Sequence, residues 1–220
     1  MKGLSMLSDV TLKPQGDGKV ERLVVILHGL GDSASGIIGL GESMRPYLPN
    51  TEFVAVNAPA PCDFSPFGYQ WFSGEDWSPD AVLSGVKKAA KPLNDYLDQL
   101  MASRNLTSDK VALLGFSQGT MMSLYVAPRR EKPFAGVLGY SGALIGGETL
   151  KFERKSSPPI MLIHGTSDEV VPFGALYAAV QGLQSVNINV MAFPCQGLGH
   201  SIDDAGLTQG VRFLRQVFRI

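Results

Sequence analysis

Val111-Ala112-Leu113-Leu114-Gly115-Phe116-Ser117-Gln118-Gly119 decides how this 220-residue chain folds. Four apolar residues predict a buried strand, which runs into the pattern G-x-S-x-G at 115–119 and then into a helical stretch. Strand, sharp turn and helix in that order are the setting of a nucleophile elbow, which holds a serine in strained backbone geometry above a sheet. Large side chains two residues to either side would collide across the turn, hence glycine at both places. The first amides of the next helix would face the reacting centre, where negative charge develops. The pattern alone carries little weight. With 25 glycines in the chain, composition produces about 0.2 chance matches, and an ordinary glycine-rich turn reads the same way. The rest of the chain must decide.

Length and composition predict one α/β domain over residues 1–220 with a substantial core. Hydrophobic residues make up 45% and charged residues 18%, as in a soluble globular enzyme. The formal net charge is −1 and the basic residues are scattered, which argues against nucleic acid or an anionic membrane as partner. Cys62 and Cys195 have no metal-ligand spacing and form no disulfide framework. Neither metal nor cofactor is expected. The opening Met1-Lys2-Gly3-Leu4-Ser5-Met6-Leu7 lacks a signal-peptide core, and no run is long enough to span a membrane. A reduced, cytoplasmic setting is the expectation. Composition does not address homodimerisation.

Outward from the elbow, apolar runs without alternation recur. Strands are predicted at 4–12, Arg22 to Leu27, Glu52 to Asn57, Phe134 to Tyr140, Pro159 to His164 and Val186 to Phe193. Helices are predicted from Gly36 to Tyr47, from Ser78 to Arg104 with a kink near Pro92, from Pro172 to Leu183 and from Asp203 to Phe218. Leu207, Val211, Leu214 and Phe218 mark the buried face of the last one. Buried strands alternating with helices imply a mostly parallel sheet covered on both faces. Sites in such sheets lie beyond the carboxyl ends of the strands. His28, Ser117, Tyr140 and the loops after His164 and Phe193 all fall there.

The chain order for an elbow serine is Ser, then Asp or Glu, then His. Of His28, His164 and His200, only His200 follows Ser117 with room for a strand and an acid between. His28 and His164 read as structural rings at strand ends. Among Glu131, Glu148, Glu153, Asp168 and Glu169, the first three fall in solvated loops, while Asp168 directly follows a buried strand. Its short side chain suits a fixed turn position. Ser117 is therefore the expected nucleophile, His200 its base and Asp168 the acid that orients the ring. The backbone amides of Gln118 and of Leu30, in His28-Gly29-Leu30-Gly31, are the expected oxyanion donors. A simple glycine turn is the alternative for the latter segment.

With His28-Gly29-Leu30-Gly31-Asp32, Gly115-Phe116-Ser117-Gln118-Gly119, His164-Gly165-x-x-Asp168 and Gly199-His200-Ser201 in order, the chain resembles the phospholipase/carboxylesterase family of α/β hydrolases. That family includes acyl-protein thioesterases and small bacterial carboxylesterases. The resemblance runs from about residue 22 to the C-terminus. It implies a lidless α/β-hydrolase fold, the same triad and the same oxyanion donors. The implied reaction is cleavage of small-molecule esters or acylated substrates, as oxygen esters or thioesters, through an acyl-enzyme. Thr120 departs from the small residue usual after the elbow in the animal thioesterases. Lysophospholipids as substrates and a non-catalytic binding protein on the same fold are the alternatives. Phe64, Phe67, Tyr69, Trp71, Phe72 and Trp77 crowd one segment. They read either as core cover or as an acyl-chain groove built from residues 59–77 and 144–156, with Trp71 lining the pocket.

Overall fold

The continuous apolar runs become the interior of one seven-stranded sheet in the computed structural model, which describes residues 7–15 and 18–220. In chain order the elements are β1 (Asp9–Leu12), β2 (Arg22–Leu27), α1 (Ala34–Ile37), α2 (Gly39–Met44), β3 (Thr51–Val56), β4 (Ala60–Pro61), β5 (Tyr69–Gln70), α3 (Pro79–Arg104), β6 (Val111–Phe116), α4 (Gln118–Val126), β7 (Gly136–Tyr140), α5 (Gly147–Glu153), β8 (Ile160–Gly165), α6 (Gly174–Gln184), β9 (Val190–Cys195) and α7 (Asp204–Phe218). The strand order is β1-β3-β2-β6-β7-β8-β9, with β4 and β5 as a separate two-stranded ribbon. Only β1 at the edge of the large sheet runs antiparallel. The elbow strand β6 thus lies in the middle, paired with β2 and β7.

Both faces of the sheet are covered, so its inner strands β2, β3, β6, β7 and β8 have two buried sides and need no alternation, while the edge strands β1 and β9 are partly exposed. Val25, Leu27, Val54 and Leu113 pack towards α3, α4 and α6, while Val24, Ile26, Phe53 and Leu114 pack towards α1, α2 and α7. Every residue of α4 is buried. The long helix α3 shields that face through Val82, Val86, Ala89, Leu93, Leu97 and Leu100. It passes through Pro92 as one continuous helix. The Ser78 side chain at its N-cap makes no capping hydrogen bond to the helix, so Pro79 and Asp80 carry the start signal. In α7, by contrast, the Asp203 carboxylate accepts from the Gly206 amide at 2.7 Å, and Val211, Leu214 and Phe218 face the core.

Several boundaries differ from the sequence expectation for physical reasons. The predicted first strand begins only at Asp9, and its residues 4–6 lie outside the described residues. The predicted helix over 36–47 is broken into α1, α2 and a 3-10 turn. Val186 and Ile188 are buried but not in a strand: they close the end of α6, with Asn187 left-handed at φ 57° and the Ile188 amide donating to Leu183. The stretch 59–77 contains the ribbon β4–β5, of which only β5 lies among the aromatic residues, and α5 occupies a stretch that reads as loop.

The sheet and elbow helix meet at one steric bottleneck. A methyl group at Gly119 would sit 1.9 Å from the Leu27 carbonyl oxygen, whereas one at Gly39 in α2 would meet nothing within 4 Å. Gly119→Ala should therefore cost about 3 kcal/mol in urea unfolding. Gly39→Ala should gain about 0.5 kcal/mol from helix propensity. Equal effects at the two positions would contradict the bottleneck.

Candidate active site

Ser117 joins β6 to α4 with φ 53° and ψ −117°, a conformation that costs an L-residue about 1–3 kcal/mol. The cross-turn collision is visible at Gly115, where a Cβ would lie 2.4 Å from the Gly119 backbone; at Gly119 the obstacle is the end of β2 instead. The strained turn is held by Tyr140 at the end of β7. Its carbonyl accepts from the Ser117 amide at 2.9 Å and from the Thr120 hydroxyl at 2.8 Å. Thr120 is accommodated because Gly139 and Gly142 lack side chains; a Cβ at either would approach Thr120 to 2.5 or 2.4 Å. Thr120 therefore pins the elbow to β7, a role its sequence position does not reveal.

Asp168 sits in the turn after β8 and is fully hydrogen-bonded. One carboxylate oxygen accepts from the amides of Val170 and Val171, each at 2.9 Å. The other accepts from Nδ1 of His200 at 2.8 Å, with Nε2 of His164 at 3.3 Å. Burial alone would push this carboxyl up. The hydrogen bonds from His200, Val171 and Val170 outweigh it and hold the group below the ordinary carboxylate range. Since the acceptor facing Nδ1 is a carboxylate, the His200 proton is assigned to Nδ1, which leaves Nε2 free as a base. The two loops are sewn together: the Ser167 amide donates to Leu198, the Thr166 amide to Cys195, and the Gly197 amide to the Thr166 hydroxyl. The His200 ring packs on Phe116 beside Ser117, with centroids 4.9 Å apart. Among the described residues Ser117 Oγ has no hydrogen-bond partner of its own, so the hydroxyl can turn to whatever docks.

The loop after β2 lies against the elbow. A Cβ at Gly29 would touch Phe116 at 3.1 Å and Ser117 at 3.3 Å. Among the described residues neither the Leu30 nor the Gln118 amide donates to a backbone carbonyl. His28 is structural, as its place at a strand end suggests. Its Nε2 accepts from the Ala58 amide at 3.0 Å, so Nδ1 carries the proton donated to the Gly29 carbonyl at 2.6 Å. Burial holds its pKa below the usual histidine value, keeping the ring neutral. His164 is tied down as well, through the Val171 carbonyl at 2.9 Å, and its Nε2 lies 3.3 Å from Asp168.

An apolar cavity of about 380 Å³ opens beside the elbow, lined by Trp77, Leu83, Met121, Leu144, Val170 and Ala175 among others. Two of the predicted pocket segments contribute, through Trp77 and the stretch after Ala143. Trp71 does not. It is 2% exposed and faces a different, 440 Å³ cavity towards Lys88 and Pro92. The pocket expected at Trp71 is therefore not this cavity: its indole N–H donates to the His28 carbonyl at 3.0 Å, which holds the ring away from the cavity's walls. Phe64 and Phe67 are 62% and 80% exposed, so the aromatic segment is part brace and part rim. Of the other acids, Glu131 pairs with Lys155 and Glu153 with Arg129, Glu169 is exposed, and Glu148 borders the 380 Å³ cavity.

Comparison with known proteins supplies independent information. A family model described as phospholipase/carboxylesterase matches residues 14–218. The crystal structure of esterase PE8 is 38% identical, with a TM-score of 0.92, covering 96% of this chain and 99% of its own. Esterase YpfH of Escherichia coli is 26% identical over 90% of this chain and 84% of its own. Acyl-protein thioesterase 1 of Schizosaccharomyces pombe is 28% identical over 88% of this chain and 90% of its own.

The depressed acidity of Asp168 has a thermodynamic signature. Folding favours its ionised form, so it stabilises the fold above the ordinary carboxylate value of about 3.9 and loses that contribution as pH falls through the lower folded value. The stability gap between wild type and Asp168→Asn should be constant from pH 7 to 5 and should narrow towards pH 3. Urea unfolding at each pH reads it out; a gap that widens on acidification contradicts the assignment.

Proposed function

The chain belongs to the phospholipase/carboxylesterase family, and on that footing we propose how it acts as a serine hydrolase of carboxylic esters and thioesters. Ser117, Asp168 and His200 form the triad, and the Leu30 and Gln118 amides form the oxyanion hole. The observation that carries this reading is the 2.8 Å hydrogen bond from His200 Nδ1 to Asp168, beside a serine held in the strained elbow turn. Nε2 of His200 takes the hydroxyl proton as Ser117 Oγ attacks the substrate carbonyl. The two amides receive the negative oxygen of the tetrahedral intermediate. Asp168, held ionised by three donors, stabilises the imidazolium. His200 then protonates the departing alcohol or thiol, and the acyl group stays on Ser117. Water repeats the sequence, releasing the carboxylic acid and restoring the hydroxyl.

The apolar cavity beside the elbow is the acyl subsite of this reading. Its walls come from α3, α4, α6 and the stretch after Ala143, and it is open to solvent along one side. Small esters and acylated molecules are the proposed substrates, and short to medium acyl chains fit an open groove of this size. We place the enzyme in the cytoplasm, since Cys62 and Cys195 are both free and buried. Among the described residues no helix is long and apolar enough to cross a membrane.

Ser117→Ala should lower kcat by about 10⁴–10⁶, and a fluorophosphonate should label the wild type once, at Ser117. Near-normal turnover of the variant, or labelling elsewhere, removes the triad assignment. Across an ester series kcat/KM should rise by up to about fourfold per CH₂ and level off beyond about eight to ten carbons. Ala175→Phe, which fills the groove, should lower octanoyl turnover relative to acetyl turnover. A rate that climbs through palmitoyl esters would turn the reading towards lysolipids.

A further inference from the structure

The two proposed oxyanion donors come from separate places. Leu30 lies in the loop after β2, and Gln118 begins the helix after β6. An oxyanion hole works only if its donors are preorganised at about 2.7–3.1 Å from the same oxygen. Parallel pairing of β2 with β6 fixes the strands below but ends at Leu27 and Gly115. Above that level something else must set the spacing.

The segment around β5 spans this gap. The Gly31 amide donates to the Tyr69 carbonyl at 2.9 Å, and the Tyr69 amide donates to the Asp32 carbonyl at 2.8 Å. On the other side of Leu30, the Trp71 indole N–H donates to the His28 carbonyl at 3.0 Å. Trp71, with its neighbour Phe72, also grips the elbow. The Trp71 amide donates to Oε1 of Gln118 at 3.1 Å, and Nε2 of Gln118 donates to the Phe72 carbonyl at 3.0 Å. Gln118 is 1% exposed, so its amide group has no water to turn to. The Trp71 ring stands over the His28 ring at 5.8 Å, and both nitrogens of His28 are already engaged.

We infer that Trp71 is a positioning residue for the oxyanion hole, cross-tying the Leu30 loop to the Gln118 elbow through its indole N–H and its backbone amide. This rests on the oxyanion-hole assignment proposed above. Its consequence is specific: the brace acts on the charged intermediate, not on ground-state binding of the acyl chain. Loosening it costs kcat and leaves KM in place. A wall of the acyl groove would behave the opposite way, with effects that grow with chain length.

The test compares wild type, Trp71→Phe, Gln118→Met and the double variant on acetyl and octanoyl p-nitrophenyl esters, together with inhibition by phenylboronic acid, whose tetrahedral adduct mimics the intermediate. Trp71→Phe keeps an aromatic ring and removes the N–H; Gln118→Met reaches the same brace from the other end if the first variant folds poorly. Expected for each single variant is a fall in kcat of about tenfold, the size of one net hydrogen bond. The fall should be equal for both esters, with KM unchanged and boronate affinity weakened by a similar factor. The double variant should lose less than the product of the two, since both act on one element. Unchanged kcat and boronate affinity in folded variants overturn the inference, as does a KM rise confined to the octanoyl ester. Wild-type turnover that survives Ser117→Ala overturns the triad reading itself, an outcome separate from these.

Discussion

The approach of α4 to β2 is the constraint on which the rest of the site depends. The Gly119 backbone lies so close to the Leu27 carbonyl that a single methyl would overlap it. That approach lets a serine hydroxyl and the first helix amide emerge at the sheet edge next to the loop after β2. It also forces Ser117 into its positive φ. The cost is met by the burial of all of α4 and by Tyr140, whose carbonyl fixes both the Ser117 amide and the Thr120 hydroxyl. Strain at Ser117 and close packing beneath it are therefore one feature.

Electrostatics at the opposite side of the site follow a similar economy. Asp168 is buried, and a buried carboxylate is stable only when its oxygens are satisfied. Two amides and Nδ1 of His200 supply that, while His164, bonded to the Val171 carbonyl, lies 3.3 Å away. The same bonds that stabilise the charge also aim the ring of His200, whose other side rests on Phe116. The Asp168 and His200 turns are joined by three further backbone-anchored hydrogen bonds, which fix the two loops relative to each other.

Much of this is legible in the chain. The apolar runs predict the buried parallel strands because a strand covered on both faces needs no alternation, and β2, β6 and β8 sit within a residue or two of their expected limits. The chain order singles out Asp168 and His200 from five acids and three histidines, and their side chains meet at 2.8 Å. The boundaries that differ are those where burial and strand pairing part company. Val186 and Ile188 are buried in the closing turn of a helix, and hydrophobicity alone cannot separate that from an edge strand.

The sequence by itself determined the layered architecture, the elbow and the identity of the candidate acid and base, because each rests on local periodicity or on order along the chain. Only the tertiary structure decided which aromatic residues face the groove and which hold the frame. Trp71 and Trp77 are six positions apart in one segment of similar composition, yet one is sealed beneath the loop after β2 and the other borders the cavity. The difference lies in partners that are distant in sequence: His28 and Gln118 for Trp71, and α4, α6 and the stretch after Ala143 around the cavity that Trp77 borders. An indole shows the same hydrophobicity in both places; where its N–H finds an acceptor is set by three-dimensional contacts that no local pattern encodes.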